Sequence, residues 1–282
     1  MVETLARIPE RGGPCPPPPP DVLHAFGASA PPVLFSGGEG RTYRSGDVVL
    51  KTVDDDAEAV GLAAIYGSMS PRTFRVPRPI RTRRGAFIHS GWHAWQYLEG
   101  HTVTGYWHEI IEVCIRFHEA LAHLPKPAFL AQRAETPWTV ADQVAWGERE
   151  IVHHPRVAPV VERLQAVLRP VQARSQLIHG DFGGNVLFAE GLPPAVIDWA
   201  PYWRPVPFAI GVIVADAIVW EGADESLIQI GNRYAQFEQF LARAELRRVI
   251  ETETSHAMYG RDTLGQIDAH LPLVGMIEAL CR

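Results

Sequence analysis

Cysteine, long apolar runs and blocks of basic charge are all scarce in this 282-residue chain, and each scarcity removes a class of function. The 3 cysteines, Cys15, Cys114 and Cys281, are odd in number, far apart and without metal-ligand spacing, which argues against a disulfide framework or a zinc site. A reducing compartment is expected. No apolar run approaches the roughly 18 to 20 residues of a membrane span, and the N-terminus lacks the charged-then-apolar layout of a signal peptide, so the expectation is a cytoplasmic protein without a membrane partner. Lys and Arg total 26 against 32 Asp and Glu, a net charge of −6, and no basic block of five or more occurs. The electrostatic footprint of a nucleic-acid binder is therefore missing, and a small-molecule or cationic partner is more natural. With 46% hydrophobic residues the chain can build one large domain or two lobes with separate cores.

What is present is concentrated between Leu177 and Trp199, L-I-H-G-D-F-G-G-N-V-L-F-A-E-G-L-P-P-A-V-I-D-W. Asp181 follows His179-Gly180, Asn185 lies four residues on, and Asp198 ends the apolar run Ala195-Val196-Ile197. The pattern reads as strand or loop, a hairpin turning at Gly-Leu-Pro-Pro, and strand. Phosphoryl transfer needs one carboxylate to orient or deprotonate the acceptor hydroxyl, and an amide with a second carboxylate to hold Mg²⁺ on the triphosphate. Asp181, Asn185 and Asp198 fit those roles in that order. His-Gly-Asp alone is a common tripeptide and Asn after Gly-Gly is ordinary turn chemistry; the combination within so short a stretch carries the reading.

Elsewhere the chain changes character in stages. Six prolines between Pro14 and Pro20 favour an extended arm, since proline fixes the backbone and donates no hydrogen bond. From Pro32 to Val53 short β-type runs are joined by Ser36-Gly37-Gly38-Glu39-Gly40 and by a Ser45-Gly46-Asp47 turn into Val48-Val49-Leu50-Lys51. The first loop lets a backbone approach phosphates closely, through Gly37, Gly38 and Gly40, or is an ordinary hairpin turn. Asp54 to Met69 has an acidic start and a helix-forming body. Arg75 to Ile80, Ala86 to Ile88 and Trp92 to Leu98 complete what reads as a five-stranded small lobe. Beyond Gly100, helical patterns cover Trp107–Leu124, Thr139–His153, Val157–Ala173, Ala209–Trp220 and Glu225–Arg247.

The H-G-D, Asn and hydrophobic-Asp-Trp pattern resembles the aminoglycoside phosphotransferase and choline kinase branch of the protein-kinase-like fold. With A-P-Y-W-R-P-V-P-F after Asp198, it looks like an actinobacterial subgroup related to those phosphotransferases. The resemblance, over roughly Val33 to Trp220, implies an α+β bilobal architecture with a small antiparallel β N-lobe and a larger, mainly helical C-lobe. Expected boundaries are an arm at 1–31, an N-lobe at 32–99 and a C-lobe at 100–282. It further implies ATP between the lobes, held by Lys51 with Glu58 on the next helix as its partner, and adenine on the Gln96 carbonyl and Leu98 amide of the linker W-Q-Y-L-E-G. Mg²⁺ falls to Asn185 and Asp198, and Asp181 is the positioning base. His118, in F-H-E-A-L-A, is expected to pack or cap rather than catalyse.

Two departures accompany the resemblance. Asp181 and Asn185 are four residues apart where kinases of the H-R-D-x-x-x-x-N pattern have five, and Gly183-Gly184 are expected to absorb the shorter path. Gly180 stands where most protein kinases carry an arginine that couples to a phosphorylated segment, which favours a small-molecule kinase. The implied activity is transfer of a γ-phosphate to a small-molecule hydroxyl, with a catalytically weak or inactive nucleotide-binding module as the alternative. An amine-bearing acceptor would suit Glu221, Asp224, Glu225, Glu251, Glu253, Asp262 and Asp268, most of which equally read as a solvated surface. An aromatic acceptor would suit Tyr202, Trp203 and Trp220.

Overall fold

The computed structural model of the chain describes residue 5, residues 15–35 and residues 40–282. The first ordered element answers the proline run. Pro19 and Pro20 cap and start helix α1 (Pro20–Phe26), where a missing N–H costs nothing, and Gly27 ends it in a left-handed conformation at φ 70°. The expected arm is therefore in part a docked element. Val22 and Phe26 are buried with Tyr43, Leu50, Trp92 and Ala94 in a small core of their own, and the Cys15 amide donates to the Gly40 carbonyl at 2.9 Å.

That core lies on one antiparallel sheet of six strands: β1 (Val33–Leu34), β2 (Thr42–Ser45), β3 (Val48–Thr52), β4 (Pro79–Ile80), β5 (Ile88–His89) and β6 (Trp92–Gln96). The order is β1-β2-β3-β6-β4, with β5 paired to β6 as a two-residue arm, one strand more than the sequence suggested. β3 and β6 are central, so Lys51 stands directly opposite His93 and Val49 opposite Trp95. Opposed residues share a face. Helix α2 (Asp56–Ser68) follows β3 after a short connection; Asp55 caps it by accepting the Glu58 amide at 3.0 Å.

The rest of the chain is helical around two small ribbons. Helix α3 (Trp107–Leu121), α4 (Pro137–Ala145), α5 (Ala158–Val167), α6 (Val206–Trp220), α7 (Phe237–Tyr259) and α8 (Ile267–Leu280) enclose β7 (Gln176–His179) paired with β10 (Pro201–Arg204), and β8 (Val186–Ala189) paired with β9 (Leu192–Val196). Helix α4 stops at Ala145, short of the expected His153, because Gly147 turns left-handed at φ 69°. The expected helix from Glu225 is divided. A 3-10 stretch (Glu225–Arg233) precedes α7, whose start is set by Gln236 at φ 60°. The hairpin turns at Glu190-Gly191, and Pro193 and Pro194 lie within β9 rather than in the turn, opposite an irregularity in β8.

Backbone and side-chain hydrogen bonds tie the lobes together around the linker. His101 and Phe188 exchange backbone hydrogen bonds of 3.0 and 2.9 Å, so the linker runs against β8. A Cβ on Gly100 would meet the Leu187 Cβ at 2.9 Å, so only glycine passes there. Arg75 donates from Nε to the Pro193 carbonyl at 2.7 Å and from Nη2 to the Glu99 carbonyl at 2.9 Å, tying the chain before β4 to both hairpin and linker.

Candidate active site

The H-G-D loop begins where β7 ends, and two neutral histidines brace it from below. The His179 amide donates to His118 Nε2 at 2.9 Å, and His118 Nδ1 lies 2.7 Å from the Cys114 carbonyl, which places the proton on Nδ1. His179 Nδ1 accepts the Asp181 amide at 3.2 Å while its Nε2 reaches the Ile197 carbonyl at 3.1 Å. Burial lowers His118 to about 3 and His179 to about 4, so both stay neutral. His118 is a packed, bonded histidine. Trp199 completes the brace: its indole donates to the Ile178 carbonyl at 2.9 Å and packs edge-on against Phe117, fastening the segment that carries Asp198 to β7.

The loop from Asp181 to Asn185, one residue shorter than in the kinase pattern, closes as a 3-10 turn over Gly183–Asn185. Neither Gly183 nor Gly184 takes a positive φ, so the glycines do not absorb the shorter path through special backbone angles. Asn185 closes it instead: Nδ2 donates to the Asp181 carbonyl at 2.6 Å and the Asn185 carbonyl accepts the Ile197 amide at 3.0 Å. The amide nitrogen is thereby committed to the loop, and the oxygen has no hydrogen bond among the described residues.

Asp198 sits at φ 47°, a left-handed conformation that costs a non-glycine residue energy and clusters at functional sites. Its carboxylate is about half exposed (47%) and ion-paired with the Lys51 ammonium across the cleft. Lys51, then burial working against it, leaves the Asp198 carboxyl below the ordinary range, so the acid is ionised. An ionised carboxylate and an amide oxygen form a hard, all-oxygen donor set that suits Mg²⁺, which keeps waters and takes the remaining ligands from phosphates. No group of three or more His, Cys, Asp or Glu capable of holding an ion occurs among the described residues, so these two donors suit an ion that arrives with a nucleotide.

Lys51 does not pair with Glu58. Glu58 Oε2 lies 2.6 Å from Arg133 Nε, and Arg133 also donates to the Pro201 carbonyl at 2.8 Å. Burial raises the Glu58 carboxyl, with Arg133 opposing. The seven-residue interval from Lys51 places Glu58 in the first turn of α2, facing the segment after Asp198. Behind Lys51 stand Tyr66, Trp95 and His93 instead. Tyr66 packs edge-on between Trp95 and Trp199 at 5.3 and 5.2 Å, and the Tyr66 hydroxyl and His93 Nδ1 are buried without hydrogen-bond partners among the described residues.

Of the remaining residues expected to hold a nucleotide, Gln96 ends β6 on the surface, and the Leu98 amide in the linker donates to no backbone carbonyl among the described residues. Gly40 has φ 70°; Gly37 and Gly38 lie outside the described residues.

On the far side of the cleft, α7 contributes two consecutive arginines that the sequence reading did not single out. Arg247, 1% exposed, donates to the Gly180 carbonyl at 2.6 Å. Arg248 Nη2 lies 2.7 Å from Asp181 Oδ1, its Nη1 lies 2.7 Å from Glu251 Oε2, and its Nε donates to Asp216 Oδ1 at 2.8 Å. Burial pushes Asp181 upward, but Arg248 and Arg247 outweigh it and hold the acid below the usual range. Burial dominates at Asp216 and takes it to about 6. One signal was available: Asp216 is the only charged residue between Val206 and Trp220. Gly180 is required by the same packing, since a Cβ there would lie 2.4 Å from the Tyr202 ring and 3.0 Å from Arg247 Nη1.

The proposed acceptor acids are mostly engaged elsewhere. Glu221 accepts from the Trp107 indole at 2.7 Å, Glu253 pairs with His153 at 2.8 Å, and Asp268 with Arg156 at 2.9 Å; Glu251 belongs to the cluster at Asp181. Tyr202 is buried beneath Arg247 and is no open wall, whereas Trp203 is partly exposed and Trp220 is 48% exposed.

The described relatives agree with this architecture. The aminoglycoside phosphotransferase APH(4)-Ia, in a thermostable mutant, aligns with a TM-score of 0.59 at 16% identity, over 92% of this chain and 97% of that one. Spectinomycin phosphotransferase APH(9)-Ia, solved with ADP and spectinomycin, gives 0.55 at 16% identity over 93% and 96%. A choline/ethanolamine kinase family protein from Mesorhizobium loti gives 0.57 at 15% identity over 89% of each chain. These likenesses establish the bilobal, protein-kinase-like fold. No curated protein matches the sequence. The phosphotransferase enzyme family, APH, matches residues 27–202, which span both lobes and include the H-G-D loop, Asn185 and Asp198, and the chain belongs to that family.

Proposed function

We propose that the protein transfers the γ-phosphoryl group of ATP to a hydroxyl of a small molecule. The observation that carries this is the pair of opposed acids, each with a cation: Asp198 with Lys51 on the sheet side and Asp181 with Arg248 on the helical side. The first pair suits the phosphate donor. The second suits the incoming hydroxyl.

In this reading adenine rests on the linker, accepting from the Leu98 amide and donating to the Gln96 carbonyl, and Gly37, Gly38 and Gly40 line the phosphates. Lys51 leaves Asp198 in part to neutralise phosphate charge. Mg²⁺, which Asp198 and Asn185 would hold, supplies charge neutralisation on the triphosphate. Asp181 accepts the hydroxyl hydrogen bond and aligns its oxygen for in-line attack. Because the arginines hold Asp181 below its ordinary range, it is a weak base, and orientation is its larger contribution.

Calorimetry with ATP, with and without Mg²⁺, tests the donor half. Metal-dependent binding lost in Asp198→Ala is expected, and absence of binding by the wild type would remove the transferase reading. Asp181→Asn should keep that binding while turnover falls by about 100-fold or more. The shortened catalytic loop favours a second reading, a nucleotide-binding module with little turnover. It predicts normal Mg²⁺-dependent binding and no phosphate release that depends on Asp181.

A further inference from the structure

The H-G-D-F-G-G-N loop carries no lysine or arginine, and Lys51 stands with Asp198 on the sheet side of the cleft, where it serves the donor phosphates, yet charge also develops on the moving phosphoryl group beside Asp181. One cation in the structure is built for that place. Arg248 touches Asp181 with Nη2 and is oriented from behind by Asp216, on α6, and by Glu251, one turn along its own helix. Four of its five N–H groups are thus committed, and one on Nη1 has no partner among the described residues. Asp216 and Glu251, the latter shared with Arg247 at 2.7 Å, already balance the two arginines without Asp181. The third carboxylate is the half-exposed Asp181, at the floor of the cleft. Arg247, the residue before, fixes the Gly180 carbonyl, so the guanidinium and the loop it faces are held in one register.

We infer that Arg248 is a catalytic residue, its guanidinium donating hydrogen bonds to the oxygens of the transferring phosphoryl group from the acceptor side of the cleft. The inference rests on the transferase reading above. In the step, the bond from the γ-phosphorus to the β,γ-bridging oxygen breaks with its electron pair leaving on ADP, and a bond forms from the acceptor oxygen to phosphorus. The acceptor proton passes by way of Asp181 to solvent. Arg248 transfers no proton; it supplies fixed positive charge that needs no reorganisation when the reaction occurs.

Water can serve as acceptor, so the test needs no cognate substrate: the full-length chain with Mg²⁺·ATP is followed for phosphate release, for nucleotide affinity by calorimetry, and for tightening of ADP by fluoroaluminate, a mimic of the phosphoryl group in flight. The variants are Arg248→Lys, Arg248→Met and Arg248→Met with Asp216→Asn, the last removing the carboxylate that the second would leave unpaired. The expected result is ATP affinity within about threefold of wild type, phosphate release lower by about 100-fold or more in both Met variants, and partial recovery with Lys. Fluoroaluminate should tighten ADP on the wild type and not on the Met variants. Release within about threefold of wild type in either folded Met variant, retained fluoroaluminate tightening, or a matching loss of ATP affinity overturns the inference. A wild type that binds Mg²⁺·ATP without turnover or tightening overturns it too, leaving the donor site standing; one that binds no nucleotide overturns the transferase reading itself.

Discussion

Asp181, Asn185 and Asp198 were legible as candidate site residues because they fall in close succession, and a single hairpin brings them together. Their partners were not. Arg248 lies 67 residues from Asp181 and Lys51 lies 147 from Asp198, and nothing local in either stretch says which acid will be met. Glu58 shows the limit most clearly: composition made it the only glutamate available to Lys51 on α2, and the three-dimensional path gave it to Arg133. Glu58→Gln should therefore leave Mg²⁺·ATP affinity near wild type while lowering the melting temperature, whereas a loss of affinity comparable with that of Lys51→Met would restore the Lys51–Glu58 pair. Gly180 follows from contact rather than motif. Gly180→Ala drives a methyl into the Tyr202 ring and should destabilise the protein by about 1–3 kcal/mol, measured by denaturant unfolding.

At the scale of elements, α6 and α7 act as one unit, and their separation sets the geometry at Asp181. Gly211 permits it: a Cβ there would lie 3.1 Å from the Phe240 carbonyl oxygen and 3.3 Å from the Ala244 Cβ. Gly211→Val should force the helices apart at a cost of about 1–3 kcal/mol. Because Asp216 rides on α6 and Arg248 on α7, phosphate release should fall by more than nucleotide affinity does. Equal losses in both, or in neither, would disconnect the helix pair from the reaction. The start of α3 at Trp107 was readable from its apolar spacing, and boundaries were misread where a turn divided an apolar pattern, as at Gly147 and Gln236. Helix α1 was missed because proline excludes a helix interior yet suits its first turn, and sequence alone did not say which of six prolines would begin one.

At the scale of the whole molecule, buried ionisable groups predict how the fold responds to acid. His118 and His179 titrate near 6.5 when unfolded and at about 3 and about 4 when folded, so the unfolded chain takes up protons first and stability is lost as pH falls from about 6.5 towards 4. Asp216, raised to about 6, works the other way: the folded state binds its proton more tightly, and its contribution grows as pH falls through 6. His93, which burial lowers to about 4, adds to the loss, and Glu58 and Asp142, raised by burial, join Asp216 on the opposing side; the three histidines dominate between pH 7 and pH 5, where the melting temperature should drop. His118→Gln should flatten that drop, and an unchanged or rising melting temperature in wild type would contradict the neutral brace beneath the H-G-D loop. Strand alternation, helix periodicity and short-range spacing are properties of neighbouring residues, so they were enough to anticipate the two lobes and to mark Asp181, Asn185 and Asp198 as candidates. Only the tertiary structure decided which cation meets which acid, because ion pairs between residues distant in the chain depend on the path of the backbone and on how far burial has removed each charge from water.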